Sequence, residues 1–534
     1  MKTASIFRLT VALALLALTP ACQDFLDKEP LGTPTDANLF KDPKNAVQAV
    51  NSIYDAASWD EGPKWGSGPY MGHMYEWMFG DVMGDDAEKG SSPSDFTVIS
   101  DLKTWIADAA NPIVGTLWTH AFTGIARANI VINNVDAGTI DAALKQRLKG
   151  EALFFRGYFY FYLVRTFGGV PLFEKSVLPT EASTVKRASI AETYAFIEKD
   201  FRDAAGLLPE KNAYPALDLG RATKGAANAY LARVILYQLG TVNGANHTWQ
   251  DVYDQTTLVT GSNQYGLNPN YAATQELEGE NATESVFELQ FVSSNDSYGP
   301  IKSGTTSNLF QNNRTTWGYG FNNPTQNLVN EFEPNDPRLP VTVIRDQDVV
   351  LGIRNSINLA TNATGYLNRK AAILQPAQIK SGDQNIRKIR YADVLLMKAE
   401  AAANIGRPAE AVALVNQIRQ RARNSSKPKG SLVSSLSYEP ANVPAGTLPD
   451  LATSLNGQPL LSAIWHERRV ELGMEALRYW DLVRTGRYLP SLPVDARARC
   501  LSRCFTQGIV NPMPLLPIPL VESQTYKVPQ NPGY

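Results

Sequence analysis

Apolar residues recur every three to four positions in long blocks along the chain, and between the blocks that period is lost. Over 45–58, Val47, Val50, Ile53 and Tyr54 share one side, which predicts a helix. The same spacing predicts helices at 113–135, 141–166, 191–206, 222–239, 390–405, 408–423 and 461–484. The block ending at 166 runs into Gly168, Gly169 and Pro171, the chemistry of a helix stop. From 241 to 388, Asn, Thr, Gly and Tyr rise, and strand-like runs stand at 286–292 and 341–344. Residues 61–95, rich in Gly, Pro, Met and aromatics, and 424–458, rich in Ser, Pro and Gly, read as loops. The proline-rich end, 511–534, reads as extended chain. The pattern predicts a mainly α protein with a loop-rich, partly β middle, divided as 22–240, 241–389 and 390–534 behind a leader at 1–21.

The leader has a basic start at Lys2 and Arg8, then eight unbroken apolar residues from Val11 to Leu18, then Thr19, Pro20, Ala21 and Cys22. That is the order of a secretory signal peptide, and it is too short to span a bilayer as a helix. A small residue before Cys22 resembles a bacterial lipoprotein signal, although Leu18 sits one place earlier than that pattern's leucine. The resemblance implies that Cys22 becomes an acylated N-terminus and anchors the protein at the outer membrane. Residues 23–35, with Pro30, Gly32 and Pro34, read as a tether.

Composition narrows the classes. The 534 residues are 44% hydrophobic, enough for a large core. Lys+Arg is 50 against Asp+Glu 52, so the formal charge is −2, or −4 once Lys2 and Arg8 leave with the leader. No cationic field exists for nonspecific nucleic-acid binding. Three cysteines exclude a disulfide scaffold. Cys500 and Cys504 lie too far apart for a bond on a regular helix, whereas a turn between them permits a structural clip; both states stay open.

One helix pair has repeat character. Tyr391, Val394, Leu395, Ala399 and Ala402 share a face, Gly406 breaks the helix, and Pro408 starts the next, where Ala411, Val415, Ile418 and Ala422 share a face. Small residues at Ala399, Gly406 and Ala411 match a tetratricopeptide (TPR) unit, and equally an ordinary helical hairpin.

Enzyme motifs are sparse. None of the four histidines builds H-E-x-x-H, and neither a G-x-S-x-G elbow nor a phosphate-binding glycine loop is present. Asp81, Asp85, Asp86 and Glu88 form an acidic cluster that fails the Ca²⁺-loop pattern, since Ala87 and Phe96 fall where ligands belong. A Ca²⁺ site of another arrangement near Asp85 and Asp86 stays open beside the reading of loop-capping carboxylates. Glu467, Glu471 and Glu475, with Arg468, Arg478 and Asp481, read as helix ion pairs, Arg468 with Glu471 and Arg478 with Asp481, rather than a glycosidase pair.

Eight segments in order carry a family resemblance: Asp24 to Asp27 with Pro30; FFRGYFYFYLVRTFGGVP at 154–171; GRATKGAANAY at 220–230; ESVFELQF at 284–291; EFEPNDPR at 331–338; RYADVLLMKAE at 390–400; HERRVELGMEALRYWDLVRTG at 466–486; and Pro517-Ile518-Pro519 with a terminal PQNPGY. Together they resemble the SusD/RagB family of Bacteroidetes surface lipoproteins. The resemblance implies a TPR-like helical superhelix with a loop-rich ligand face. It also implies a SusC-like TonB-dependent outer-membrane transporter as partner, capture of oligo- or polysaccharide fragments, no catalytic role and no cofactor. The RagB branch implies oligopeptides as an alternative cargo. A TPR-type envelope scaffold without a small ligand is the reading from another class.

Sugar rings pack their C–H faces on aromatic rings, and their hydroxyls need amide and charged partners. Candidate platforms are therefore aromatics in loops: Trp65, Tyr70, Tyr75 and Trp77 in the first, and Tyr298, Trp317, Tyr319 and Phe321 in the middle region. Asn312, Asn313, Arg314, Asn322 and Asn323 surround the second set. The alternative is that these rings anchor loops onto the scaffold. The dense aromatic run at 154–167 and Trp480 read as core or partner-facing.

Overall fold

The computed structural model describes residues 36–59, 75–177, 179–242, 246–293, 304–316, 318–350, 352–372, 382–428, 438–440, 442–505 and 513–534. The first five long helices are α1 (Pro43–Ser58), α2 (Pro112–Asn134), α3 (Ala142–Phe167), α4 (Ile190–Leu207) and α5 (Lys224–Thr241). Each starts where the periodicity predicts because a polar side chain meets its unpaired N–H groups: Asp42, Asn111, Asp141, Ser189 and Thr223 all accept one. The aromatic run of α3 is core, since every residue from 150 to 167 is buried. Gly124 of α2 lets α3 come close: a Cβ there would lie 2.1 Å from the Phe159 ring.

The next helix, α6 (Trp249–Thr260), was not predicted by periodicity. It packs against both α5 and α7 (Tyr391–Asn404), so the front of the middle region belongs to the scaffold. After α7 come α8 (Pro408–Asn424), α9 (Gly457–Leu472), α10 (Arg478–Arg484) and α11 (Val494–Ser502). From α2 to α8 each helix packs on the next. This neighbour-on-neighbour stacking gives a mainly α, TPR-like fold. The main hydrophobic core runs from Phe40 to Val528 and takes residues from all three sequence regions, with two small clusters beside it, at Ile344, Leu367 and Ala372 and at Tyr271, Ala272 and Val341.

The predicted helix at 461–484 is in fact two. It breaks at 473–477, where Met474 and Ala476 hold left-handed conformations at φ 64° and 60°. The strand-like run at 286–292 is β2 (Ser285–Leu289), and that at 341–344 is shared between a helical turn, Leu339–Thr342, and β4 (Val343–Arg345). Sheets are two-stranded and tie distant segments: β1 (Ala87–Gly90) with β3 (Phe321–Pro324), β2 with β6 (Ile386–Arg390), and β4 with β5 (Tyr366–Asn368). The extended end contains a short helix, Leu520–Gln524. Among the described residues no helix is long and apolar enough to cross a membrane.

Charged residues of four segments singled out by sequence interlock in the interior. Arg338 is fully buried and bonds Asp336 at 2.8 Å, Glu467 at 2.5 Å and Glu471 at 3.2 Å. Arg421 reaches Glu471 at 2.5 Å and Glu284 at 2.7 Å, while Arg390 reaches Glu475 at 2.8 Å and Glu471 at 3.1 Å. The expected pairing by helical spacing is corrected. Arg468 bonds Asp393 and Asp481, not Glu471, and Arg478 bonds Asp85 at 2.6 Å, not Asp481. The role is structural, as read from sequence, but most of the partners come from other segments because each buried guanidinium needs several acceptors at once.

Candidate functional site

The candidate platforms fall out unevenly. Trp65, Tyr70, Tyr298 and Trp317 lie outside the described residues. Tyr75 opens a helical turn, Tyr75–Trp77, that leads into a π-helical stretch, Met78–Val82. Trp77 is no exposed platform: it is buried, with its ring 6.4 Å from that of Phe321. Phe321 stacks on Phe310 at 5.8 Å and meets Phe96 edge-on at 5.9 Å, so it too is core. Tyr319 is the candidate the structure leaves exposed, at 41%, with its ring edge-on to Phe310 at 5.3 Å.

The polar candidates all have partners within the protein, and Arg314 is also exposed. Asn313 is buried and shapes its own turn, accepting from Thr315 N at 3.0 Å and donating to Ser356 O at 3.1 Å. Arg314 is bonded to Asp95 and to Ser91 Oγ at 2.6 Å, which ties the middle region to the segment after β1. Asn322 and Asn323 are fully buried. Near Asp85 and Asp86 the charge is met by arginines: Asp85 bonds Arg478, Asp86 bonds Arg469 at 2.8 Å, and Glu88 bonds Lys103 at 2.7 Å. A Ca²⁺ ion beside Asp85 and Asp86 would face two guanidiniums, and no metal-holding cluster of His, Cys, Asp and Glu occurs among the described residues. Cys500, on α11, and Cys504, starting β7 (Cys504–Phe505), are buried neighbours and stand as free thiols in this structure.

A cleft of about 80 Å³ opens where three regions meet: Glu76, Trp77 and Asp81, then Gln275, Asn308, Gln311, Asn368, Lys370 and Gln384, then Met474 to Ala476. Its position follows from close packing, since Gly80 abuts the backbone of Ala476 and brings the π-helical stretch onto the break between α9 and α10. The walls are an amide lattice. Gln311 Oε1 accepts from Asn322 Nδ2 at 2.8 Å and from Asn368 Nδ2 at 2.9 Å. Asn308 Nδ2 donates to Ala371 O at 2.8 Å and Gln384 Oε1 at 2.6 Å. Lys370 is held by Glu475 at 2.6 Å. Asp81 accepts from Ala476 N at 2.9 Å and Asn322 Nδ2 at 3.1 Å; burial pushes its carboxyl up to about 7 despite these donors. Side-chain amides that donate and accept in one plane suit hydroxyl-bearing ligands. Sequence reasoning missed Gln275, Asn308, Gln311, Asn368 and Gln384, because isolated amides in a polar region carry no spacing signal. A second groove, about 550 Å³, runs between α2 and the end of the chain and is walled mainly by Trp118, Phe122, Phe173 and Tyr526.

Two family models match the chain: one described as SusD family over residues 283–499, the other, SusD-like, described as starch-binding associating with outer membrane, over 66–236. The chain belongs to the SusD/RagB family. The matched spans of this SusD/RagB chain contain the interlocking segments, including Glu284, Arg338, Arg390 and Glu471. A relative named SusD-like protein P38, from Formosa agariphila, is 27% identical, with 88% of this chain and 90% of that protein covered. A solved structure described as a laminarin binding SusD-like protein superposes with a TM-score of 0.73 at 25% identity, covering 93% of this chain and 100% of that one. Surface glycan-binding protein A from Bacteroides thetaiotaomicron, solved with laminarihexaose, shares the fold with a TM-score of 0.71 at 22% identity, covering 91% and 99%.

Proposed function

We propose that this SusD/RagB chain is a nutrient-binding subunit at the outer membrane that captures oligo- or polysaccharide fragments and delivers them to a SusC-like TonB-dependent transporter. Cys22 is the proposed lipid attachment. The reading is carried by the full-length likeness to a laminarin binding SusD-like protein. The amide-walled cleft supports it, because hydroxyl-rich ligands need such partners. A binding rather than catalytic role is supported by the carboxylates of α9, since Glu467 and Glu471 are both held by arginines. Two or three stacking contacts of ~1–3 kcal/mol each would leave affinity near the micromolar-to-millimolar range, suited to release into a transporter.

The test is native electrophoresis of the mature protein through gels containing laminarin, starch, mannan or pectin, with affinity purification of the membrane complex. Retardation by at least one glycan and copurification of a TonB-dependent barrel are expected. Unretarded migration in every glycan, with capture of oligopeptides from a peptide library, would replace carbohydrate by peptide as cargo.

A further inference from the structure

Among the described residues lining the cleft, three neutral polar atoms stay unmatched, beside Arg387 Nε, which lies 3.4 Å from the Glu288 carboxylate; Asn322 Oδ1, behind the wall, is unmatched as well. Trp77 Nε1, Gln275 Nε2 and Asn308 Oδ1 are buried and have no hydrogen-bond partner among the described residues. All three residues line the cleft. The indole N–H can only donate. The orientation of Asn308 is set by its two Nδ2 bonds, so its oxygen faces no protein donor. Buried polar atoms in folded proteins are matched as a rule, and three unmatched ones in one cleft mark a place built for polar groups from outside the chain.

Size and charge say which groups. The free volume of about 80 Å³ has room for a few waters and is well under the ~300 Å³ of a site that encloses a whole small molecule. It therefore admits a polar end and not a ring. The charges of the cations at its walls are met by carboxylates: Lys370 by Glu475 at 2.6 Å, and Arg387 by Glu288 at 3.4 Å and Glu280 at 3.6 Å, its Nη atoms also donating to the carbonyls of Glu276 and Asn385. Glu76 is held by Lys388 and by Tyr158 at 2.7 Å. Asp81 has only neutral donors, Asn322 and Ala476. An anionic group entering the cleft would find no free cation among the described residues and would face the Asp81 carboxyl.

We propose that this cleft is an end-group subsite: it takes the hydroxymethyl or vicinal-diol end of an uncharged carbohydrate and rejects sugars that present a carboxylate or sulfate there. Trp77 Nε1 and Gln275 Nε2 donate to ligand hydroxyl oxygens, and Asn308 Oδ1 accepts a ligand hydroxyl proton. The proposal rests on the carbohydrate reading above and narrows it.

The test is calorimetry on the mature protein, its Trp77→Phe variant and its Gln275→Met variant. The probes are laminarihexaose, maltohexaose and mannohexaose as uncharged ligands, and hexagalacturonate as the charged one. A crystal structure with the tightest binder completes the test. Phe keeps a ring against Phe321 without the N–H, and Gln275 is only half-buried, so its loss leaves folding intact if Trp77→Phe proves unstable. At least one uncharged hexasaccharide should bind, hexagalacturonate should not, and each folded variant should bind about three- to tenfold more weakly. Undiminished affinity in the folded variants, preference for hexagalacturonate, or a glycan complex whose hydroxyls stay out of the cleft would overturn the subsite while leaving carbohydrate capture standing. Binding of none of the four, with oligopeptides bound instead, would remove the carbohydrate reading itself and the subsite with it.

Discussion

Replacing Gly80 by Ala strikes the joint on which the cleft depends. An added Cβ would lie 2.0 Å from Ala476 O, 2.2 Å from its carbonyl carbon and 2.4 Å from its Cα, whereas real Cβ contacts essentially never fall under 3.0 Å. All three atoms are backbone, and the turn already holds Met474 and Ala476 at φ 64° and 60°, so it has little room to rotate. The π-helical stretch and the 474–476 turn must therefore separate by about 1 Å, and the two walls of the cleft part with them. Overpacking of this kind costs about 1–3 kcal/mol. Weakening the Ala476 N–H bond to Asp81, now 2.9 Å, leaves a buried carboxyl short of a donor for about 1–3 kcal/mol more. Gly80→Ala should thus lose about 2–5 kcal/mol in urea unfolding followed by circular dichroism. Gly115→Ala, on α2 with nothing within 4 Å of the added carbon, should instead gain about 0.5–1 kcal/mol. A Gly80→Ala protein as stable as wild type, with glycan affinity intact, would refute the view that this contact sets the cleft.

Other expectations follow from the charges and the anchor. Burial pushes Glu471 up, but Arg421, Arg390 and Arg338 outweigh it and hold the carboxyl at about 2. Because that lies below the ordinary 4.5, its contribution is present above pH 4.5 and fades toward pH 2; Glu471→Gln should cost about 3–5 kcal/mol at pH 7 and converge with wild type in strong acid, read from denaturation midpoints. Asp81 has the opposite sign: its folded value of about 7 exceeds the ordinary 3.8, so wild type loses stability as pH rises between them, and Asp81→Asn should gain up to about 4 kcal/mol on wild type from pH 4 to pH 8. Cys22→Ala should move the protein from the outer-membrane pellet to the soluble fraction, and continued sedimentation with membranes would contradict the anchor. Trp317→Ala should weaken glycan binding by ~1–3 kcal/mol in calorimetry without changing the far-ultraviolet spectrum, and unchanged affinity would remove that ring from the site.

Much of the scaffold was legible before any coordinates. The helices Pro112–Asn134 and Ala142–Phe167 lie within a residue or so of their predicted bounds, because a long apolar period plus a polar cap and a glycine stop is local information. Ala399, Gly406 and Ala411 announced a close helix pair for the same reason, and α7 and α8 do pack together. What was lost was lost to packing. Trp249–Thr260 is helical in an Asn- and Thr-rich stretch because α5 and α7 flank it. The 461–484 block breaks because Glu475 is drawn to Lys370 and Arg390, and Gly80 seats against Ala476. Trp77 and Phe321 looked like platforms and are buried beside each other. Local chemistry alone thus determined most of the long helices, their ends and the family's segments in order, since each is written in spacing a few residues long. Which carboxylate meets which guanidinium, which rings stay exposed, and which amides gather around one small cleft were decided only by folding, because most of those neighbours lie from about ten to several hundred residues apart and no periodicity connects them.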